Sequence, residues 1–596
     1  MSTEITSSDL IPIDHHFKVS AGPGAGKTYW LIRHIKNVLQ NSSQLTFTTK
    51  VACITYTNTG VEQIKKGLWN SLDRVEVSTI HNFLYKYLVK PYLFLLNDNG
   101  EESLVNTPRM DGHDEHVVSK GSVIQWLKYL GVKQIFDKRT ESITDAIKGA
   151  KWHFDVNGLL ICTATEPRHL GALKSVVPKG DLVDYKRKYW EKGTIHHDDV
   201  LYFSYRLITE HPSLATALVN KFPYIFIDEF QDTNPLQTAI LKLLAQEGTT
   251  IGVIGDAAQS IFSFQGATLK DFVNFSVPDL HEYTIARNRR SSEEITDILN
   301  NIRRKEGLVQ SSLRGKIDIN PSIVVGRLED IAVYIQENKL TTLAFRNDDV
   351  GRLKLDPGTG CSKLWKDIFS NLSKRAKLLH PLVSGIECIR QKKLSEGLRF
   401  VQRIIKSPEG KKIHKYRKKE IAIELIDLFL ENYNEIQSKS ITEIFNYILL
   451  PFFKTRDLRP LSKISGGKVK VFADSVIYQN MIQGISLGGD SSRVRTIHKA
   501  KGAEFNKVLV YVSTEKKFCK FILEADVTTS EDESRLYYVG LSRARDSLFV
   551  SVPSLSPDTE KRANDIGFTN IIRLPETELK VSDSIVRPIK IINGNQ

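Results

Sequence analysis

The sequence predicts an α/β protein made of two similar halves, each with a parallel sheet and each interrupted by an insertion. An apolar strand at residues 17–19 breaks into glycines and then opens an amphipathic helix. A second apolar strand at 224–227 ends in two acids, as a buried parallel strand does at a ligand-binding edge. Lys27 and Asp228, which follow these strands, are 201 residues apart, too far for one simple α/β unit. The spacing therefore predicts an inserted segment between them.

The first of these stretches has the pattern of a phosphate-binding loop. Its three glycines allow backbone conformations that other residues avoid, so successive N–H groups converge on an anion at the positive end of the following helix. Lys27 adds a charge for the β- and γ-phosphates, and the Thr28 hydroxyl is a ligand for Mg²⁺. Ala21 replaces the first glycine of the strict pattern, and the alternative is a glycine-rich turn with a chance Lys-Thr. The loop comprises Ala21, Gly22, Pro23, Gly24, Ala25, Gly26, Lys27 and Thr28.

The two acids after the second strand supply what phosphoryl transfer to water needs, a metal site and a base. Asp228 is predicted to hold Mg²⁺ through its water shell. Glu229 is predicted to orient and deprotonate the attacking water.

A third apolar strand, at 251–255, is followed by a glutamine and two aromatic residues. Gln259 is placed within reach of a γ-phosphate. Phe262 and Phe264 lie among Ser, Gln and Gly, where exposed rings suit base stacking, worth about 1–3 kcal/mol per base. Ordinary core aromatics are the alternative.

Two earlier strand ends carry further polar or aromatic residues. Tyr56, Thr57 and Asn58 follow a strand at 51–55, and His81 follows a second strand that starts near residue 76. Ligands gather at the carboxyl edge of an open α/β sheet, although a plain polar loop is the alternative for each.

Arginine-rich stretches lie far downstream, at 287–292, 493–505 and 535–545. Arginines aimed at a phosphate stabilise the charge that builds up during γ-phosphoryl transfer. A solvated charge or an ion pair is the alternative for any single one of them.

Composition bounds the remaining classes of protein. The 596 residues are 41% hydrophobic and 26% charged, as in globular proteins, and no stretch approaches the ~20 apolar residues of a membrane span. The five cysteines are scattered and the N-terminus is polar, so we expect a reduced, cytoplasmic protein that does not contact membranes. The formal charge of +14 favours a polyanionic partner, with a solvated basic surface as the alternative.

Taken together and in order, the motifs resemble those of superfamily 1A helicases of the UvrD/Rep/PcrA type. The series is Ala-Gly-Pro-Gly-Ala-Gly-Lys-Thr, Asp-Glu-Phe-Gln-Asp-Thr-Asn, Gly-Asp-Ala-Ala-Gln-Ser-Ile-Phe, Thr-Ile-His-Lys-Ala-Lys-Gly-Ala-Glu-Phe and Tyr-Val-Gly-Leu-Ser-Arg-Ala-Arg. The resemblance covers about half the chain and implies two RecA-like motor domains, 1A and 2A, with ATP between them. It also implies a mostly helical insertion in each, 1B and 2B. We expect 1A at 1–90 and 190–280, 1B at 91–189, 2A at 281–360 and 488–555, 2B at 361–487, and a C-terminal extension at 556–596.

The resemblance also implies roles for single residues. Gln259 matches the γ-phosphate sensor. The contacts to triphosphate and ribose from domain 2A match Arg290, Arg543, Gly502 and Glu504. The nucleic-acid contacts match the stacking aromatics Tyr56, Phe262 and Phe264 and the polar Thr57, Asn58 and His81. Closure of the cleft on ATP and opening after hydrolysis would move a single strand across those rings with 3′ to 5′ polarity.

Two departures from the family pattern affect the adenine site. The first sixteen residues hold no convincing adenine-recognition glutamine. The family's arginine and tyrosine that sandwich the base are replaced by Tyr29 and Arg289, the reverse order. We expect the sandwich to survive with its faces exchanged, because a guanidinium and a ring stack in either order.

The leading expectation is an ATP-dependent translocase and helicase that acts with Mg²⁺ on single-stranded or tailed duplex DNA. A second is a nucleic-acid-stimulated regulatory ATPase that acts with a partner nuclease in anti-phage defence, as in systems of the Gabija kind, without processive unwinding. A third is an RNA helicase of the same superfamily. The basic run 411–419 is compatible with duplex contact and equally with a solvated helix face.

Overall fold

The computed structural model of the chain leaves some segments undescribed. The described residues are 2–96, 104–110, 112–114, 118, 120–132, 137–164, 166–177, 180–263, 266, 269–353, 359–372, 375–391, 394–406, 413–483, 493–529 and 531–575. Three predicted features lie wholly or partly outside them: Phe264, the first two residues of the basic run 411–419, and the end of the C-terminal extension from 576 onward.

Within the described residues the chain divides into two units. Unit 1 comprises 1–331, 340–347 and 495–596, and unit 2 comprises 332–339 and 348–494. The strands are β1 (Thr3–Glu4), β2 (His16–Ala21), β3 (Val51–Thr55), β4 (Val75–Thr79), β5 (His113–Asp114), β6 (Ala150–Phe154), β7 (Leu160–Ala164), β8 (Ile195–His196), β9 (Tyr224–Ile227), β10 (Thr250–Gly255), β11 (Leu280–Ile285), β12 (Arg287–Asn288), β13 (Ser311–Ser312), β14 (Ser322–Val325), β15 (Thr341–Ala344), β16 (Val494–Thr496), β17 (Phe505–Tyr511), β18 (Ala544–Val552) and β19 (Asn570–Arg573).

Helices connect and cover these strands. In unit 1 they are α1 (Lys27–Asn41), α2 (Asn58–Gly67), α3 (Ile80–Leu84), α4 (Lys90–Tyr92), α5 (Lys120–Tyr129), α6 (Asp137–Lys148), α7 (Pro167–Lys174), α8 (Val183–Trp190), α9 (His197–Glu210), α10 (Pro212–Lys221), α11 (Pro235–Gln246), α12 (Leu269–Val273) and α13 (Glu293–Ile302). Then follow α14 (Leu328–Glu337), α15 (Asn347–Leu353), α16 (Thr359–Leu372), α17 (Ala376–Arg390), α18 (Leu394–Gln402), α19 (Lys415–Glu431), α20 (Tyr433–Ile436), α21 (Ile441–Glu443), α22 (Leu450–Thr455), α23 (Gly467–Ser475), α24 (Tyr478–Gln483), α25 (Ile497–Ala500), α26 (Glu515–Phe518), α27 (Asp532–Leu541) and α28 (Pro557–Asp565).

The first sheet of unit 1 is parallel and has the order β1-β11-β2-β10-β9-β3-β4. Its central strands β9 and β10 are buried along their whole length because apolar clusters cover both faces of the sheet. Gly252 in β10 has a packing reason, since a Cβ there would lie 2.1 Å from Cζ of Phe17. The sheet extends past the predicted boundary at residue 280, because β11 pairs with β2.

The second sheet of unit 1 has the order β16-β15-β17-β18-β14-β19. Its pairs β15–β17, β17–β18, β18–β14 and β14–β19 are parallel. The largely apolar runs 508–512 and 547–552 fall on β17 and β18, and each strand begins three residues before its run because each continues the ladder of the other. This sheet buries its own apolar cluster around Ile497, Val510 and Tyr538.

The segment between β4 and β9 is inserted into the first half of unit 1. It is mostly helical, as predicted, and it also contains the antiparallel hairpin β6–β7. Trp126, Trp152 and Trp190 from this segment join the apolar cluster of one face of the first sheet. The insertion is therefore packed on the sheet through a shared core.

Unit 2 is helical, with α16 to α24 around a single apolar cluster among its described residues. Two parallel sheets with flanking helices, together with mostly helical inserted segments, confirm the predicted α/β fold of RecA-like type. In the described part of the chain, no helix combines the length and apolarity needed to cross a bilayer.

Candidate functional site

The predicted phosphate loop connects β2 to α1. Gly24 and Gly26 have φ angles of 69° and 85°, a region that other residues avoid, and Gly26 precedes the first turn of α1. The Lys27 ammonium is buried and donates to the Ala21 carbonyl oxygen at 3.3 Å. The first turn of α1 has no acidic residue, so the loop presents a buried cation and a helix N-terminus that favour an anion.

The two predicted metal ligands meet beside this loop. The Thr28 hydroxyl donates to the Asp228 carboxylate, with 3.2 Å between Oγ1 and Oδ2. Burial, and then the charge of the adjacent Glu229, raise the pKa of the Asp228 carboxyl. Neighbouring carboxylates in a buried position need a compensating cation, and hydroxyl and carboxylate oxygens are ligands that Mg²⁺ prefers. Thr28 and Asp228 therefore fit the magnesium site that the sequence predicts.

Glu229, the predicted base, has a left-handed backbone with φ of 57°, which is uncommon for a residue with a side chain. Gln231 holds its carboxylate: Nε2 of Gln231 donates to Oε2 of Glu229, and Oε1 accepts from the Asp256 backbone N–H at 3.0 Å. Burial alone would raise the pKa of Glu229, but Lys27 and Lys501 lower it, so the carboxylate is ionised. The sequence did not predict this role of Gln231, whose one signal was an amide two residues after the acid.

A hydrogen bond between Gln259 and Arg543 joins residues next to strands of the two different sheets. Nη2 of Arg543 donates to Oε1 of Gln259 at 2.9 Å, and Nε2 of Gln259 donates to Oδ2 of Asp256 at 2.7 Å. Gln259 follows β10 of the first sheet, and Arg543 directly precedes β18 of the second. Burial, and then the charge of Arg290, lower the pKa of Arg543, so its positive charge is incompletely compensated. An anion at this position would complete the compensation.

Arg290 lies against the phosphate loop, and its guanidinium donates hydrogen bonds to residues of the second half of unit 1. Its Nε donates to Oε2 of Glu504 at 2.9 Å, and its Nη1 donates to the Ser542 carbonyl oxygen at 3.0 Å. A Cβ on Gly24 would lie 2.6 Å from Cβ of Arg290, so only a glycine permits this close approach. Gly502, two residues before Glu504, has a φ of 83°.

Tyr29 and Arg289, the predicted base sandwich, lie at the start of α1 and after β12. The Tyr29 ring is exposed, with Cζ of Arg33 5.8 Å from its centroid. Nε of Arg289 donates to the Ser7 hydroxyl at 2.9 Å, and its backbone N–H donates to the Gly24 carbonyl oxygen at 2.9 Å. Hydrogen bonding by Arg33 lowers the pKa of Tyr29, and the charge of Arg289 contributes less. The ring therefore faces Arg33 here, and the sandwich remains a prediction.

Two of the predicted nucleic-acid contacts stack on each other. The ring centroids of Tyr56 and Phe262 are 5.1 Å apart, with 30° between the planes. The Lys501 ammonium lies 4.9 Å from the Phe262 centroid and donates to both Asp232 carboxylate oxygens, at 2.8 and 2.6 Å. It also donates to the Gln259 carbonyl oxygen at 2.8 Å. This Lys501–Asp232 pair, which the sequence did not predict, connects the stacked rings to the peptide of the predicted phosphate sensor.

The polar nucleic-acid candidates lie at the carboxyl ends of β3 and β4. Thr57 is the N-cap of α2, where its hydroxyl accepts from the Gly60 N–H at 3.0 Å, and Asn58 is the first residue of that helix. His81 is in α3, and its ring centroid is 6.0 Å from that of His197 in α9. Thr57 thus has a structural function here, and the roles of all three toward nucleic acid remain predictions.

A phosphate loop at the edge of one parallel sheet, with arginines that reach toward it from a second, defines a P-loop ATPase with two motor-type lobes. Residues 3–278 match the UvrD/REP helicase N-terminal domain, and residues 382–554 match the UvrD-like helicase C-terminal domain. The chain belongs to the UvrD-like helicases. This confirms the predicted enzyme class, an ATP-dependent DNA helicase.

Three relatives are similar to nearly the whole chain. Gabija protein GajB of Bacillus cereus strain HuB5-5 is 24% identical, over 89% of this chain and 92% of that protein. A probable DNA helicase II homolog of Mycoplasma capricolum is 21% identical, over 91% and 83% of the two chains. The ATP-dependent DNA helicase PcrA of Staphylococcus aureus strain Mu50 is 22% identical, over 89% and 80%.

Proposed function

We propose that the chain is a single-stranded-DNA translocase and helicase with 3′ to 5′ polarity, which hydrolyses ATP in the cleft between the two sheets of unit 1. The hydrogen bond from Arg543 to Gln259 carries this proposal. This bond joins the buried guanidinium of Arg543, next to β18 of the second sheet, to Gln259, which follows β10 of the first sheet. The positive charge of Arg543 is incompletely compensated there. The terminal phosphate of ATP has the charge that this position lacks. The domain division expected from the sequence is part of the proposal, with the first motor domain extended past residue 280 to include β11.

On the side of the first sheet, loop residues 21–28 bind the triphosphate, and Lys27 lies against its β- and γ-phosphates. Thr28 and Asp228 hold Mg²⁺, which neutralises phosphate charge when bound. Glu229 accepts a proton from the attacking water, and Gln231 keeps the accepting carboxylate oriented.

On the side of the second sheet, Arg290 and Arg543 stabilise the charge that develops on the γ-phosphate. Gly502 and Glu504 contact the ribose and triphosphate. For Glu504 this requires that it release Arg290, which frees that arginine for the phosphate. Tyr29 and Arg289 are the proposed sandwich for the base, and Tyr29→Ala should raise the Michaelis constant for ATP.

On the nucleic-acid side, bases stack on Tyr56 and Phe262, and Thr57, Asn58 and His81 contact the strand beside them. The pair of rings is itself stacked at 5.1 Å, so a base that enters between them must separate them. Phe262 lies under Lys501, which is bonded to the Gln259 peptide. Displacement of Phe262 by a base therefore has a direct mechanical connection to the γ-phosphate sensor.

Strand displacement tests the proposal. We expect ATP hydrolysis stimulated by single-stranded DNA, and release of a labelled strand from a duplex with a 3′ tail but not from one with a 5′ tail. Lys27→Ala should abolish both activities. Hydrolysis by Lys27→Ala at the parent rate would refute the assignment of the site, and release from the 5′-tailed duplex alone would refute the polarity.

A second candidate is a regulatory ATPase that acts with a partner nuclease in anti-phage defence without processive unwinding. The similarity to Gabija protein GajB over nearly the whole chain favours it. DNA-stimulated hydrolysis without strand release from either tailed duplex would support this candidate over the first. Stimulation by RNA in preference to DNA would instead support an RNA helicase.

A further inference from the structure

A cavity of about 510 Å³ lies beside the stacked rings, between the first sheet and the insertion that packs on it. We call it the side cavity. Its volume is in the range of sites that hold small organic ligands of about nucleotide size. Residues that line it include Tyr56, His81, Lys148, Lys151, His197 and Gln237. Four of these six are not among the residues that the sequence or the family resemblance assigns to nucleic acid.

The wall from the insertion carries two lysines whose ion pairs are weak. Nζ of Lys148 is 2.9 Å from Asp145, and both side chains are more than half exposed. Nζ of Lys151 is 3.6 Å from Asp198, and both side chains are about one-third exposed. Exposed pairs of this kind contribute little free energy, so a phosphate can replace either carboxylate at small cost.

Polar groups that have no hydrogen-bond partner among the described residues line the inner part of the side cavity. Nε2 of His81 is buried and has no hydrogen-bond partner in the described part of the chain. Nδ1 of His197 lies 2.5 Å from Nδ1 of His113, which leaves Nε2 of His197 for another partner. Oε1 of Gln237 accepts from the Asn234 backbone N–H at 3.0 Å, so its NH₂ group remains as a donor. An aromatic base with donors and acceptors on its edge can form hydrogen bonds with such groups.

We propose that the side cavity receives one nucleotide of the bound single strand, with its base between Tyr56 and the histidines and its phosphate at Lys148 and Lys151. The inference deepens the proposed function and rests on it. Continuity with Tyr56 selects a strand nucleotide over a free metabolite, because the cavity opens beside the ring on which the strand is proposed to stack. The insertion thereby becomes part of the single-strand path.

The first test measures salt-dependent binding of an oligothymidylate by the full chain. Lys148→Ala combined with Lys151→Ala should lower the slope of log Kd against log salt by about 1.4, since each single-strand phosphate contact contributes about 0.7. The matched control is Lys128→Ala combined with Lys174→Ala. These lysines are exposed, belong to the same insertion and lie outside the side cavity, so the slope should not change.

The second test needs no variant and so does not depend on a variant's folding. Oligothymidylates with 5-iododeoxyuridine at successive positions are photocrosslinked to the parent chain, and the modified peptides are identified. A crosslink at His81, His197 or Gln237 from one or two positions supports the proposal. Crosslinks confined to Tyr56, Phe262 and the second sheet would overturn it, as would equal slopes for the two double variants.

Failure of the proposed function gives a different result. A parent chain that neither binds the oligothymidylate nor hydrolyses ATP faster in its presence would refute the single-strand motor and the side-cavity proposal together. A parent that does both, while the cavity variants behave as the controls do, would refute the side-cavity proposal alone.

Discussion

Asp199 holds several elements of the insertion together, and its replacement by asparagine should loosen the insertion locally. The side chain is fully buried and receives five donors. They are Nε1 of Trp152 at 3.1 Å, Nε1 of Trp190 at 3.0 Å, Nζ of Lys186 at 2.9 Å, and the His196 backbone N–H and Nδ1 at 3.0 and 3.2 Å. These donors come from β6, α8 and β8, while Asp199 belongs to α9. One carboxylate therefore joins four elements.

The magnitude follows from the charges. Asp199→Asn removes the partner of a buried ammonium, which costs about 3–5 kcal/mol in buried pairs. The asparagine NH₂ group also faces donors where only an acceptor fits. At 1.36 kcal/mol for each factor of ten, local opening of the insertion should become roughly 10² to 10⁴ times more frequent. Lys186→Met, combined with Asp199→Asn, removes the ammonium that has lost its partner and should restore part of the lost stability of the insertion.

Hydrogen exchange of the full chain, read by mass spectrometry on peptides from residues 150–190, measures this opening. Asp184→Asn is the matched control, because Asp184 is exposed on the same helix as Lys186. We expect faster exchange in those peptides for Asp199→Asn only, with peptides of the second sheet unchanged. If Asp199→Asn and Asp184→Asn exchange alike, the carboxylate does not hold these elements of the insertion together.

The pH dependence of this effect has a definite sign. Burial alone would raise the pKa of Asp199, but Lys186 and His196 hold it far below its usual value, and Asp199 in turn raises the pKa of Lys186. A depressed carboxyl pKa stabilises the fold above the pKa of the unfolded chain, about 4, and this contribution is lost as the pH falls below it. The difference between parent and Asp199→Asn should therefore be constant near neutral pH and shrink below about pH 4.

Three further predictions concern the ATP site. Gly24→Ala should abolish ATP hydrolysis while the chain remains folded by circular dichroism. The alanine Cβ would lie 2.4 Å from Oδ1 of Asn288, in a backbone region that alanine avoids. ATP hydrolysis at the parent rate would contradict this close approach. Arg543→Lys should lower kcat by about 10³-fold or more at similar KM, since lysine cannot reproduce the guanidinium contact; a change confined to KM would oppose a transition-state role. Gln231→Glu should lower kcat by roughly ten- to a hundredfold, because a second carboxylate would face Glu229. Gln231→Met adds no charge and should therefore lower kcat by less.

Local signals predicted much of the fold. The strands at 17–19, 51–55, 224–227 and 251–255 all belong to one parallel sheet, and the glycine loop is followed by a helix that begins at Lys27. Their ends are less predictable, because a strand continues as long as a neighbour offers hydrogen bonds. β2 and β18 both extend beyond their apolar cores for this reason.

The residues of the site likewise divide into those that the sequence predicted and those that it did not. Lys27, Thr28 and Asp228 were identified from their position after strand ends, and in the structure Thr28 is hydrogen-bonded to Asp228 while the charge of Lys27 acts on the same carboxyl. The contacts of Gln231 and the Lys501–Asp232 pair were missed. Both depend on residues from a different motif, so no spacing within one motif reveals them.

By itself the sequence determined the chemistry of each strand end, because glycines, apolar runs and the charges that follow them act over a few residues of backbone. It also determined that a segment is inserted in the first half of the chain, since Lys27 and Asp228 are too far apart in sequence for one simple α/β unit. Only the tertiary structure decided which ends meet. The order β1-β11-β2-β10-β9-β3-β4 places β10 between β2 and β9, and Arg543 reaches Gln259 across 284 residues of chain. Such contacts depend on how buried sheets pack, a property of the whole core that no short stretch of sequence contains.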